Sequence, residues 1–134
     1  MAPALQRLKR RSEFLRVAAA RHKWVAPGLI LQMRRRHAGE EDKCTADSVR
    51  VGFTASRKVG NAVVRNRARR RLREIVRQIA PTGVMPGHDL VVIARAATVS
   101  RPFDSLSRDF TRGLRKLGIY RSAESEGGDG GLPS

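Results

Sequence analysis

The sequence predicts a small α/β domain, a sheet packed by helices in two layers with the order α-β-β-α-β-α, and three stretches carry that prediction. Val49 to Ser56 alternates, with Val51, Phe53 and Ala55 on one side and Arg50, Thr54 and Ser56 on the other. That is the period of a half-buried strand. The pattern then turns helical: Val64, Ala68, Leu72, Ile75 and Ile79 recur at three- and four-residue steps, which places them within about 80° of one another on one core-facing stripe. Asp89 to Arg95 is a near-continuous apolar run, suited to a strand buried on both faces. Strand, helix and strand over 49–95 make a crossover unit with parallel strands, a connection that is generally right-handed.

The remaining elements fall in order around this unit. Arg7 to Arg11 reads as a basic arm, and Ser12 as the cap of a short helix from Glu13 to Ala20 with Phe14, Val17 and Ala18 on one side. Pro27-Gly28 breaks the chain. Leu29 to Arg36 alternates again, Leu29, Leu31 and Met33 against Ile30, Gln32 and Arg34. His37 to Ser48 is a polar, locally acidic loop, and Pro81 to His88 is a loop with two prolines and two glycines. Pro102 opens a last helix in which Phe103, Leu106, Phe110, Leu114 and Leu117 repeat at helical spacing. Residues 1–121 are thus expected to form one domain. Residues 122–134, with four glycines and no aromatics, read as a disordered tail.

Charge narrows the function. The 134 residues include 28 basic and 12 acidic ones, a formal charge of +16. Self-repulsion of that size weakens a compact state unless a polyanion relieves it, so nucleic acid is the expected partner. Of the basic residues 23 are arginine, whose planar fork grips phosphate bidentately and stacks on bases. No segment approaches the ~20 apolar residues of a spanning helix, and Met1 to Arg11 lacks an apolar signal region. Cys44 is the only cysteine, so no internal disulfide forms and a reducing cytoplasm is the expected home.

The basic residues concentrate on the central helix. From Arg57 to Arg77 there are nine of them against one acid, Glu74. Arg65, Arg69, Arg73 and Arg77 form an i,i+4 row beside the apolar stripe, with Asn66 and Arg70 next to them, while Arg67 and Arg71 flank the stripe on its other side. A solvated helix face usually mixes signs, and Glu74 alone does not neutralise this row. Contact with RNA is the reading it favours. Gly60-Asn61 forms a turn into the helix, where backbone N–H groups and the helix dipole suit a phosphate.

Catalytic groups are sparse. His22, His37 and His88 have no carboxylate at helical or strand spacing to orient them and read as surface histidines. One cysteine, no His-x-x-x-His and acids confined largely to the Glu40-Glu41-Asp42 loop and the tail make a poor metal site. Any chemistry is expected to lie in a partner.

The segment GNAVVRNRARRRLRE, preceded by SRK, resembles the signature of the protein subunit of bacterial ribonuclease P, with weaker similarity over residues 7–120. The resemblance implies an α/β fold with a left-handed βαβ crossover, of a type shared with a ribosomal-protein domain. It also implies an endoribonuclease holoenzyme, monomeric protein and RNA 1:1, that removes 5′ leaders from precursor tRNA. In it the RNA subunit and its magnesium ions cleave the phosphodiester bond, and no metal is expected on the protein. Carried over by motif, docking on the catalytic RNA falls to Arg57, Lys58, Asn61, Arg65, Asn66, Arg67, Arg69, Arg70 and Arg73. Asn61 reads equally as a helix cap.

The family binds the leader as a single strand in a cleft between the first helix and the sheet. Here that role falls to Arg10, Arg11, Phe14, Arg16, Gln32, Arg34 and Arg50, with Arg7 and Lys9 of the arm adding charge. Where the family commonly has further aromatics this chain has Ala18 and Gln32, so stacking is reduced. Phe14 reads either as a base platform or as core packing. Trp24 either covers the sheet edge or stacks on a base. Phe53, Phe103 and Phe110 follow the apolar periods and read as core. The rival reading is a structural ribosomal RNA-binding protein.

Overall fold

A computed structural model describes residues 5–36 and 48–121. His37, Cys44 and the 122–134 tail lie outside the described residues. The elements are β1 (Leu5–Arg7), α1 (Arg11–Ala19), β2 (His22–Val25), β3 (Leu29–Arg35), β4 (Val49–Thr54), α2 (Ala62–Gly83), β5 (His88–Ala94), a 3-10 turn (Ala96–Thr98) and α3 (Phe103–Lys116). They build one five-stranded sheet in the order β1-β4-β5-β3-β2. β4 is parallel to β5, as expected for the crossover through α2. β3 runs antiparallel to β5, and β2 antiparallel to β3.

Pleat alternation assigns the faces. Leu29, Leu31, Val49, Val51, Leu90 and Val92 point to one side and form the main core with Ala68, Leu72 and Ile75 of α2 and Leu106, Phe110 and Leu114 of α3. On the other side Val91 packs with Leu8 and Val17, and Phe14 and Ile93 close that smaller cluster under α1. β5 is therefore covered on both faces, which is why its sequence does not alternate.

The class holds, and the expected element order gains two strands. The supposed arm is in part β1, a three-residue edge strand parallel to β4 with Leu5 opposite Val49 and Arg7 opposite Val51. Residues 22–25 form the opposite edge. Ser12 does not cap α1. Arg10 holds the cap position, and the Glu13 carboxylate accepts from the backbone N–H groups of Lys9 (2.8 Å) and Arg10 (2.9 Å). α2 continues through Pro81 to Gly83, where a loop was expected. Proline stands in the last turn, where its missing N–H forfeits a single helical bond. Trp24 covers the sheet edge: a side-chain carbon on Gly113 of α3 would stand only 2.8 Å from its Cδ1, and Lys116 Nζ lies 5.9 Å from its ring centre. Phe110 is fully buried, while Phe53 and Phe103 are half-buried at the core margin.

Candidate nucleic-acid interface

The apolar stripe of α2 is seated as its period demands, with Ala68, Leu72 and Ile75 fully buried. This fixes the arginines by geometry. Arg65 and Arg69 emerge half-buried at the stripe's margin, and Asn66, Arg67, Arg70 and Arg73 are exposed. Asn61 is the N-cap, its Oδ1 accepting from Val64 N–H at 3.0 Å. That bond uses one of the N–H groups a phosphate at this helix end would need. Arg57 and Lys58 lie exposed in the turn before it. Asn66 Oδ1 accepts from Arg69 Nη2 at 2.7 Å and holds that guanidinium on the helix surface beside it.

Two members of the basic helix are engaged within the protein. Arg77 is paired with Glu74, which also accepts from Gln78 at 2.9 Å. The Gln78 and Arg77 side chains hold the Glu74 carboxyl below its ordinary pKa. Arg71 turns the other way: Nη1 donates to the carbonyls of Thr98 (2.6 Å) and Val99 (2.7 Å), with the guanidinium 6.0 Å from the Phe103 ring centre. Arg69, Arg70 and Arg73 have no carboxylate partner among the described residues. Arg73 sits 5.9 Å over the Phe53 ring. Partial burial, and then the charges of Arg7, Arg69 and Arg70, push its pKa down. Cations crowded this closely favour an anion among them.

The cleft side is organised by a carboxylate whose role was not apparent from the sequence. Asp89, second residue of β5, is the direct cross-strand neighbour of both Arg34 on β3 and Arg50 on β4. Arg50 donates to it from Nε (2.9 Å) and Nη2 (2.7 Å), Arg36 from Nη1 (2.7 Å), and Arg34 Nη1 stands 3.5 Å away. Arg50 Nη1 also reaches Glu13 of α1 at 3.2 Å. Burial would raise the Glu13 carboxyl, but the backbone N–H groups of Arg10 and Lys9 and the charge of Arg50 together hold it below its ordinary pKa. Arg34 and Arg50 are thus buried, each 8% exposed, and tie α1 to the sheet. Neither projects freely into the cleft. Gln32 is half-buried on the same face, and Arg10, Arg11 and Arg16 are exposed on or beside α1.

The two predicted sites meet. A depression of about 460 Å³ is lined by Phe14 and Gly52 from the cleft side, by Arg69 and Arg73 from α2, and by Arg7, Leu8 and Lys9 between them. Arg7 owes its place there to β1, an element too short to show in the sequence. A second depression of about 520 Å³ continues past Arg10, Glu13 and Arg50. His88, expected at the surface, is instead buried with Nδ1 3.0 Å from the Met85 carbonyl, and burial lowers its pKa. His22 is exposed. Among the described residues no three histidine, cysteine or acidic side chains gather as a metal site, and no helix is long and apolar enough to cross a membrane.

A small α/β sheet that presents an unneutralised arginine helix and a contiguous basic depression defines a polyanion-binding domain. Comparison with known proteins gives that class a family. The ribonuclease P family profile matches residues 2–118. A ribonuclease P protein component from Paramagnetospirillum magneticum is 50% identical over 125 residues, covering 93% of this chain and 92% of the relative. One from Ruegeria pomeroyi is 52% identical over 111 residues, covering 82% and 84%. The chain belongs to the ribonuclease P protein family. Its fold is that of the Staphylococcus aureus RNase P protein (TM-score 0.68, 22% identity, 86% of this chain and 97% of that one) and of the Thermotoga maritima protein (0.66, 24%, 83% and 96%).

Proposed function

We propose that this chain acts as the protein subunit of a ribonuclease P ribonucleoprotein in the cytoplasm, one protein to one catalytic RNA, with precursor tRNA as substrate. The observation that carries this reading is the outer face of α2, where Arg69, Arg70 and Arg73 stand with Arg7 and without a carboxylate partner among the described residues. Arg57, Lys58, Asn61, Arg65, Asn66 and Arg67 extend that face toward the helix N-terminus. Docked there, the phosphate backbone of the RNA subunit relieves the repulsion of the free protein.

The leader, a single strand, then enters along the Phe14–Arg73 depression. Phe14 serves as a base platform, with Arg10, Arg11, Arg16 and Gln32 beside the strand. Arg34 and Arg50 act indirectly by holding α1 over the sheet through Asp89 and Glu13. The endonucleolytic step is assigned to the RNA. Asp89 and Glu13 are already saturated by arginine and backbone donors, so these residues do not fit a magnesium site. The divalent ion belongs to RNA phosphates.

Mixing the purified chain with its ribonuclease P RNA tests the reading. Processing of precursor tRNA at its 5′ end should be strongly protein-dependent at low magnesium and less so at high magnesium, with no cleavage by the chain alone. Cleavage by the chain alone would overturn it. So would co-sedimentation with ribosomal subunits and no effect on tRNA ends.

A further inference from the structure

A second row of cations lies on α3. At 100° per residue, Arg108, Arg112 and Arg115 fall within about 60° of one another, opposite the stripe of Leu106, Phe110, Gly113 and Leu114 that α3 buries. All three are exposed, as is Lys116 beside them. The acids of α3 do not balance the row. Asp109 is buried in a two-point pair with Arg101 and accepts from Gly28 N–H, and Asp104, one turn before Arg108, is a single exposed acid against three arginines. Like charges at i,i+4 cost an isolated helix a few tenths of a kcal/mol per pair. Helix-dipole compensation covers Arg115 and Lys116 in the last turn but not Arg108 and Arg112. Arg115 lies 4.8 Å from the Tyr120 ring centre, which holds its guanidinium at the outer surface.

α2 and α3 pack side by side on one face of the sheet, and packed helices have axes about 10 Å apart. The two rows therefore share one helical layer. We infer that α3 is a second RNA-docking surface, on which Arg108, Arg112 and Arg115 grip backbone phosphates of a segment of the partner RNA separate from the one on α2. This rests on the proposed role of the α2 face. Charge complementarity identifies the occupant: a row of three cations about 10 Å long, with the single exposed acid Asp104 at its start and no apolar anchor on its face, fits a phosphate backbone rather than a protein.

The test is the combined variant Arg108→Gln, Arg112→Gln and Arg115→Gln in the full chain, bound to its ribonuclease P RNA over a range of salt. The log–log slope of affinity against salt should fall by about 2–3, since each phosphate contact contributes roughly 0.7–0.9. Backbone cleavage protection should vanish at nucleotides other than those exposed by Arg69→Gln with Arg73→Gln. Restoring charge with lysine at 108 and 112 should restore much of the slope. A wild-type slope and protection pattern overturns the inference, as does an effect that disappears when residues 122–134, which contain Glu124, Glu126 and Asp129, are removed. If the Arg69→Gln, Arg73→Gln protein also binds as wild type, the α2 reading has failed. If that protein is impaired and the α3 variant is not, only the present inference falls.

Discussion

The ring of Phe14 packs against Gly52 so closely that a side-chain carbon on Gly52 would overlap its Cε2 and Cζ. The glycine makes room for the aromatic. α1 can approach the sheet at this point because β4 carries no side chain there, and Phe14 also lines the depression that Arg7 and Arg73 share. Phe14 thus packs against the smaller core cluster and also lines the depression, so the packing reading holds and the platform role stays with the proposed function.

Truncating Phe14 to alanine should therefore cost about 2 kcal/mol of stability, less than the 3–5 of a fully buried ring. Discrimination of precursor from mature tRNA should fall as well. Gly52→Ala should displace the ring and cost about 1–3 kcal/mol. That penalty should largely vanish in the Phe14→Ala background, because the clash has lost its partner. A denaturation double-mutant cycle measures this directly, and additive costs would mean that the two residues do not share the contact.

Asp89→Asn should be more damaging than either. It removes the buried carboxylate that Arg34, Arg36 and Arg50 share, and breaking buried ion pairs from one side costs about 3–5 kcal/mol. Urea denaturation should show an early midpoint, and α1 should loosen with it, since Arg50 also holds Glu13.

The legibility of this molecule follows from where its contacts lie in the sequence. The stripe from Val64 through Ala68, Leu72 and Ile75 to Ile79 runs over about four turns, so helix and buried face are both readable. β5 announces itself by failing to alternate. The edge strands do not: Leu5–Arg7 and His22–Val25 are three and four residues long, shorter than the window in which alternation stands out. Asp89 was hidden for a different reason. Its arginines come from two segments distant from it in sequence, β3 with Arg36 just after it and β4, and become its neighbours only once strand register is known. The sequence did carry a signal, an acid at the head of a two-face-buried strand. Its partner set was tertiary.

His88 gives stability a pH dependence. Burial, aided by Arg35 and Arg36, lowers its pKa below the ordinary 6.5. The folded protein therefore binds its proton less readily than the unfolded chain. Its contribution is complete above about pH 6.5 and declines as pH falls toward the lowered folded value. Below the ordinary carboxyl range Glu13 adds a second loss, because its folded pKa is also lowered. Melting temperature should fall between pH 7 and 5, and His88→Gln should flatten that portion of the profile. An unchanged slope in the variant would place the responsible group elsewhere.

Arg69 and Arg71 stand two positions apart on one helix and should give opposite phenotypes. Arg69 is held by Asn66 and meets no acid among the described residues. Arg69→Ala should leave the melting temperature nearly unchanged and lower the salt slope of RNA binding by about 0.7–0.9, one phosphate contact. Arg71 points into the molecule, bonded to the carbonyls of Thr98 and Val99. It ties α2 to the turn whose Thr98 hydroxyl donates to the Gly28 carbonyl at 2.6 Å. Arg71→Ala removes a charged donor from two carbonyls and should destabilise the fold by about 1–3 kcal/mol, with the salt slope intact. Lysine at 69 should restore the slope, since a phosphate contact needs mainly charge. Lysine at 71 should recover only part of the stability, because an ammonium lacks the planar stacking of guanidinium over Phe103. If Arg71→Ala instead lowers the slope and spares the melting temperature, the inward placement of that side chain is wrong, and the RNA-facing surface of α2 extends around the helix toward α3.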